Sequence, residues 1–149
     1  MNSVVLLFTF AFATVAYAAI SEETLAEMME KMITLAEECQ KETGATQEDM
    51  TTLMQKKIPA SHEGKCVISC IAKKTGVSTQ DGHADIEATK KFFEKIKTED
   101  EGFYNKVIEM SEQCEKEVPY DEDHCISAIN FAKCAKEKSA QKGIKLPWA

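Results

Sequence analysis

The sequence predicts an all-α domain, a bundle of about six helices stapled by disulfides, and three observations carry that expectation. Apolar residues recur at steps of three and four in successive segments. No segment alternates apolar and polar residues as a half-buried strand would. All six cysteines lie at or beyond Cys39, downstream of a start that reads as an export signal.

The segments justify themselves in order. "SEETLAEMMEKMITLAEECQKETG" has Ser21 as N-cap, glutamates in its first turn, and Gly44 as its stop. Leu25, Met28, Met29, Met32, Ala36 and Cys39 form one apolar stripe along it. "TQEDMTTLMQKK" predicts a shorter helix capped by Thr46, with Met50, Leu53 and Met54 inward and Pro59 ending it. "SHEGKCVISCIAKKTG" starts near Ser61 and stops at Gly76; its "CVISCIA" is apolar almost all round, as a central helix should be. "ADIEATKKFFEKIKT" sets Ile86, Thr89, Phe93 and Ile96 on one side. "EGFYNKVIEMSEQCEKE" aligns Phe103, Val107, Met110 and Cys114. "DEDHCISAINFAKCAKEK" begins at Asp121 and carries Cys125, Ala128, Ile129 and Ala132 on one face.

The chain opens "MNSVVLLFTFAFATVAYAAIS", with no charged side chain before Glu22. An apolar run from Val4 to Ala16 leads into an A-x-A pattern at Ala16 and Ala18, so residues 1–18 read as a secretory signal peptide. The run falls short of the roughly 20 apolar residues a bilayer span needs. Residues 19–149 then form one domain of ordinary size. The formal charge of −7 opposes nucleic acid and anionic membrane surfaces as partners, and no stable membrane insertion is expected.

Compartment decides what the cysteines become. An even number in an exported chain reads as a disulfide framework. Cys66 and Cys70 sit one helical turn apart, with Cβ atoms roughly 5–6 Å apart, too far for the roughly 3.5–4.5 Å of a disulfide. Cys125 and Cys134 lie about 13 Å apart along one helix, on opposite faces. Of roughly 15 connectivities open to six cysteines, striking out those two pairs leaves about ten. In each of them the third helix is tied to two different partners.

Other chemistry fits poorly. His62, Cys66 and Cys70 have zinc-like spacing, but an oxidising compartment favours crosslinks, so no metal or other cofactor is expected. The "DGHADIE" stretch lacks the acidic residues of a calcium loop at its third and twelfth positions, His83 and Phe92. Asp123 and His124 are neighbours on a helix, about 100° apart, and do not make an acid–base pair. No nucleophile elbow or phosphate-binding glycine loop occurs, and no enzyme is expected.

The spacing C-x26-C-x3-C-x43-C-x10-C-x8-C closely resembles the six-cysteine insect odorant-binding proteins, which include the pheromone-binding and general odorant-binding groups. The resemblance covers residues 19–149, including the "TGVSTQDGHADIEATK" connection. It implies the bridges Cys39–Cys70, Cys66–Cys125 and Cys114–Cys134, a set among the ten. It also implies a helical shell around an apolar cavity and a secreted, non-enzymatic carrier of small hydrophobic ligands such as odorants or pheromones. A monomer or weak homodimer that hands ligand to an olfactory receptor would fit that role. A saposin-like lipid-surface module is the alternative, which the cysteine spacing disfavours; a secreted phospholipase would need a glycine-rich calcium loop that is lacking.

Helix faces nominate Met54, Ile68, Phe93, Met110 and Ile129 as cavity lining. Methionine, flexible and polarisable, suits a site that must fit varied ligands. The tail "GIKLPWA" ends with Trp148, the only tryptophan, and is expected to fold over the cavity as a lid.

Overall fold

The computed structural model describes residues 20–145. The expected leader at 1–18 and Trp148 lie outside them. Seven helices occur among the described residues: α1 (Glu22–Thr43), α2 (Gln47–Met54), α3 (His62–Thr75), α4 (Ile86–Phe92), α5 (Glu94–Glu99), α6 (Glu101–Glu117) and α7 (His124–Gln141). Extended pairing is confined there to an isolated antiparallel bridge between Ser78 and Ala84.

Local chemistry sets most helix ends. Ser21 accepts from the Thr24 amide to cap α1, and Gly44 closes it at φ 76°, where a Cβ would be strained. Thr46 and Asp49 form a reciprocal capping box on α2. Ser61 caps α3 through the Gly64 amide, and Gly76 ends it at φ 80°. Asp49 also joins two of these ends, because its carboxylate takes the Ser61 hydroxyl at 2.7 Å. Gly64 is required at this junction. A Cβ there would lie 2.5 Å from the Pro59 Cβ and 2.8 Å from the Asp49 Cγ.

The fourth expected helix is two. The chain breaks at Phe93, which sits at φ −95°, ψ 7° between α4 and α5. On one continuous helix Phe92 and Phe93 would point about 100° apart. The break lets Phe93 enter the core while Phe92 packs half-buried against it, the rings edge to face with centroids 5.0 Å apart. Helix α2 also ends early, at Met54, because Lys56 turns the chain through φ 60°. Helix α7 starts at His124, where Asp123 accepts from the Cys125 and Ile126 amides.

Two apolar clusters hold the bundle. One gathers Phe93 from the α4–α5 break and Ile96, Phe103, Tyr104, Val107, Ile108 and Met110 from α5 and α6, with Ile144 from beyond α7. The other joins the end of α1 to α2 and α3 through Cys39, Ala45, Met50 and Val67. Between Thr24 and Cys39 no residue of α1 is buried: Leu25, Met28, Met29, Met32 and Ala36 are half-covered. The start of α1 is instead anchored by Glu99, which accepts from the Ser21 amide at 2.8 Å and the Thr24 hydroxyl at 2.6 Å.

Three disulfides tie the helices. Cys39–Cys70 joins α1 to α3, Cys66–Cys125 joins α3 to α7, and Cys114–Cys134 joins α6 to α7. Helix α3 is therefore fastened on two sides, and its neighbours in space are α1 and α7. No described helix is long and apolar enough to cross a membrane.

Candidate functional site: a cleft between α3, α6 and α7

A cleft of about 180 Å³ opens where α3, α7 and the end of α6 converge. Ile68 and Ala72 line it from α3, and Ala128, Phe131 and Ala132 from α7. These follow from helical periodicity: 68 and 72 are one turn apart, as are 128 and 132. The Cys66–Cys125 bridge holds the two walls together at a Cα separation of 4.5 Å. Alanines at three of the five positions leave the space that larger side chains would occupy.

The mouth is built from two loops. Val77, Ser78, His83 and Ala84 come from the α3–α4 connection, and Val118 and Tyr120 from the α6–α7 connection. The Tyr120 hydroxyl donates to the Asp81 carbonyl at 2.8 Å, and its ring stacks on His83 with centroids 3.9 Å apart. Gly82 permits the loop to lie on α7, since a Cβ there would meet the His124 ring at 2.9 Å. His124 itself accepts from the Lys73 ammonium at Nδ1, 2.9 Å away. The polar side chains that line the cleft, besides His83 and Tyr120, are Glu115, Ser78 and Ser127.

Of the residues nominated from helix faces, only Ile68 lies on the cleft wall. Met54 does not, being 81 % exposed, because the chain turns away immediately after it. Phe93 and Met110 are buried in the α4–α6 cluster, and Ile129 is buried beside the cleft residues of α7 without lining it. They fill core, whereas the α7 wall is made by Ala128, Phe131 and Ala132. Phe131 and Ser127 were missed, although the stripe Ala128–Phe131–Ala132 carries the signal for the first. His83 and Tyr120 have no periodicity to betray them.

A second groove, about 410 Å³, runs past Glu42, Lys73, Lys74 and Gln80. Its charges are already engaged, with Lys74 bridging Glu42 at 2.7 Å and Glu38 at 3.2 Å, and its walls do not suit an apolar molecule. His62 stands over the Cys66–Cys125 bridge, with donor atoms of all three residues within 4.8 Å. The two sulfurs are bonded to each other, so they are not the thiolates a zinc ion takes. The partner of His62 is Asp123, whose Oδ2 lies 2.7 Å from its Nε2.

Asp123 and Asp49 are among the carboxylates held below their ordinary value of 3.8. For Asp123 the main cause is the hydrogen bond from His62; for Asp49 it is the Ser61 hydroxyl, with Thr46 adding to it. A lowered folded-state pKa means that the fold favours the ion. That stabilisation is complete above the unfolded value and is lost as pH falls through the folded one. Asp49→Asn and Asp123→Asn should therefore be less stable than the parent at neutral pH. In acid titrations followed by circular dichroism, the gap should narrow as pH drops below about 3.8.

These features, a helical shell cross-braced by three disulfides around a small apolar cleft, define a binding protein. The PBP/GOBP family model matches residues 21–138, and the chain belongs to that family. General odorant-binding protein 19d of Drosophila melanogaster is 34% identical over 112 residues, 75% of this chain and 74% of that one. General odorant-binding protein 28a of the same organism is 27% identical over 123 residues, 83% of this chain and 82% of that one. Among solved structures, odorant-binding protein dmelOBP28a from Drosophila melanogaster superposes with a TM-score of 0.67 at 25% identity, covering 80% of this chain and 98% of that one. Pheromone Binding Protein 3 of Epiphyas postvittana shares the fold, with a TM-score of 0.60 at 24% identity over 78% of this chain and 99% of that one. Members of the family are secreted, non-catalytic carriers of small hydrophobic ligands, and this chain is one of them.

Proposed function

We propose that the chain carries its ligand in the cleft between α3, α6 and α7, and that residues 1–18 direct its export. The observation that supports this site is an apolar cleft whose two main walls are locked by the Cys66–Cys125 bridge. Carriage then needs no chemistry. An apolar molecule gains roughly 25 cal/mol for each Å² it removes from water, and it leaves when the mouth loosens. The tail beyond Ile144, including Trp148, serves as a lid. Ile144, just before that tail, is buried against Phe93, Tyr104 and their neighbours. A monomer or weak homodimer delivering ligand to an olfactory receptor completes the reading.

The test is a titration of the secreted protein with a fluorescent apolar probe. One probe per chain should be taken up, without turnover and without binding to lipid vesicles, and removal of residues 146–149 should speed its release. Vesicle binding without probe uptake would replace this reading with a lipid-surface role.

A further inference from the structure

Resting on the carrier reading above, we infer that the cleft selects a compact, uncharged ligand, one ring bearing one hydrogen-bond-accepting oxygen, and that the Ser127 hydroxyl anchors it. Size comes first. An apolar cavity of about 150 Å³ is filled by benzene, whereas sites for drug-sized molecules run to roughly 300–1,000 Å³. At about 180 Å³ the cleft holds a ring with a small substituent and excludes most of a long alkyl chain.

Polarity comes second. Ser127 is on the cleft wall and only 8% exposed. Its oxygen accepts from the Asp121 amide at the long distance of 3.5 Å. The hydroxyl proton is therefore free for a ligand oxygen, in a place where an unmatched polar group costs more than it does in water. Ser78, by contrast, donates to the Thr79 carbonyl at 3.1 Å and is already used. Charge comes third: Glu115 of α6 borders the cleft from its exposed side, in a chain of net charge −7, so a carboxylate ligand is disfavoured. Flat ligands gain further from Phe131, against whose face a ring can pack.

The experiment uses acetophenone and ethylbenzene, which differ by a carbonyl in place of a methylene, together with hexadecan-1-ol and phenylacetate. Affinities are measured by displacement of the fluorescent probe from the full secreted chain and from its Ser127→Ala variant. Acetophenone should bind the parent more tightly than hexadecan-1-ol or phenylacetate, by roughly tenfold or more. The variant should lose roughly three- to tenfold for acetophenone and keep its affinity for ethylbenzene. Circular dichroism should match the parent, since alanine suits a helix at least as well as serine. Equal losses for both aromatics, no loss for acetophenone, or hexadecan-1-ol binding as tightly as acetophenone would overturn the inference while leaving the carrier intact. Failure of the parent to bind the probe or any of the four would overturn both.

Discussion

Replacing Ala132 with Phe should lower affinity for small apolar ligands on the order of 50-fold while leaving the fold in place. Ala132 lines the cleft from α7 opposite Ile68 and Ala72 of α3. A space of about 150 Å³ takes one benzene ring, so a phenyl group from position 132 occupies most of the 180 Å³ available. The ligand then loses its seat. Forfeiting about 100 Å² of apolar contact costs roughly 2.5 kcal/mol, which corresponds to nearly two orders of magnitude in affinity. Overpacking is normally the danger of such a change. Here the ring enters space that is already open, so Tm should move by no more than a few degrees. Probe titration and thermal melting of the same sample check both halves. Unchanged affinity would place the ligand elsewhere.

Removing the Cys66–Cys125 bridge, as Cys66→Ala with Cys125→Ala, should cost both stability and binding. It spans 59 residues, against 31 for Cys39–Cys70 and 20 for Cys114–Cys134. In the chain-entropy model a loop of that length contributes about 4 kcal/mol, a large part of the roughly 5–15 kcal/mol that holds a domain folded. Tm should fall by on the order of 15 °C. The same bridge fixes α3 against α7, which carry Ile68 on one side and Ala128 and Ala132 on the other. Affinity should therefore fall even at temperatures where the helices persist. A variant that melts within a few degrees of the parent and binds normally would show that packing alone sets the walls.

What the sequence disclosed, and what it withheld, divides along the range of the forces involved. Ser21, Thr46, Ser61, Gly44 and Gly76 were legible as caps because a cap is decided within one turn of chain. The break at Phe93 was not, because it exists so that two adjacent rings can both reach a core assembled from α5 and α6. Met54 was misplaced for a related reason. Its stripe position is correct for a continuing helix, but the backbone turns at Lys56. The cleft was half legible. Ile68 followed from its place between two cysteines on one helix, and the apolar stripe of α7 was visible, though Ile129 was nominated from it where Ala128 and Ala132 line the cleft. Tyr120 meets the α3–α4 loop by stacking on His83 and by a hydrogen bond to the Asp81 carbonyl that spans 39 residues of sequence. No local pattern encodes such a contact.

Methyl-resolved NMR of the full secreted chain, titrated to saturation with acetophenone, tests the location of the site most directly. The half-covered methionine stripe of α1 is the rival surface within the same fold. The expected result is that the methyl signals of Ile68, Ala72, Ala128 and Ala132 move together and saturate at one ligand per chain, with those of Met28, Met29 and Met32 unmoved. Shifts centred on the three methionines, with the α3 and α7 methyls unchanged, would contradict the assignment of the carrier site to the cleft.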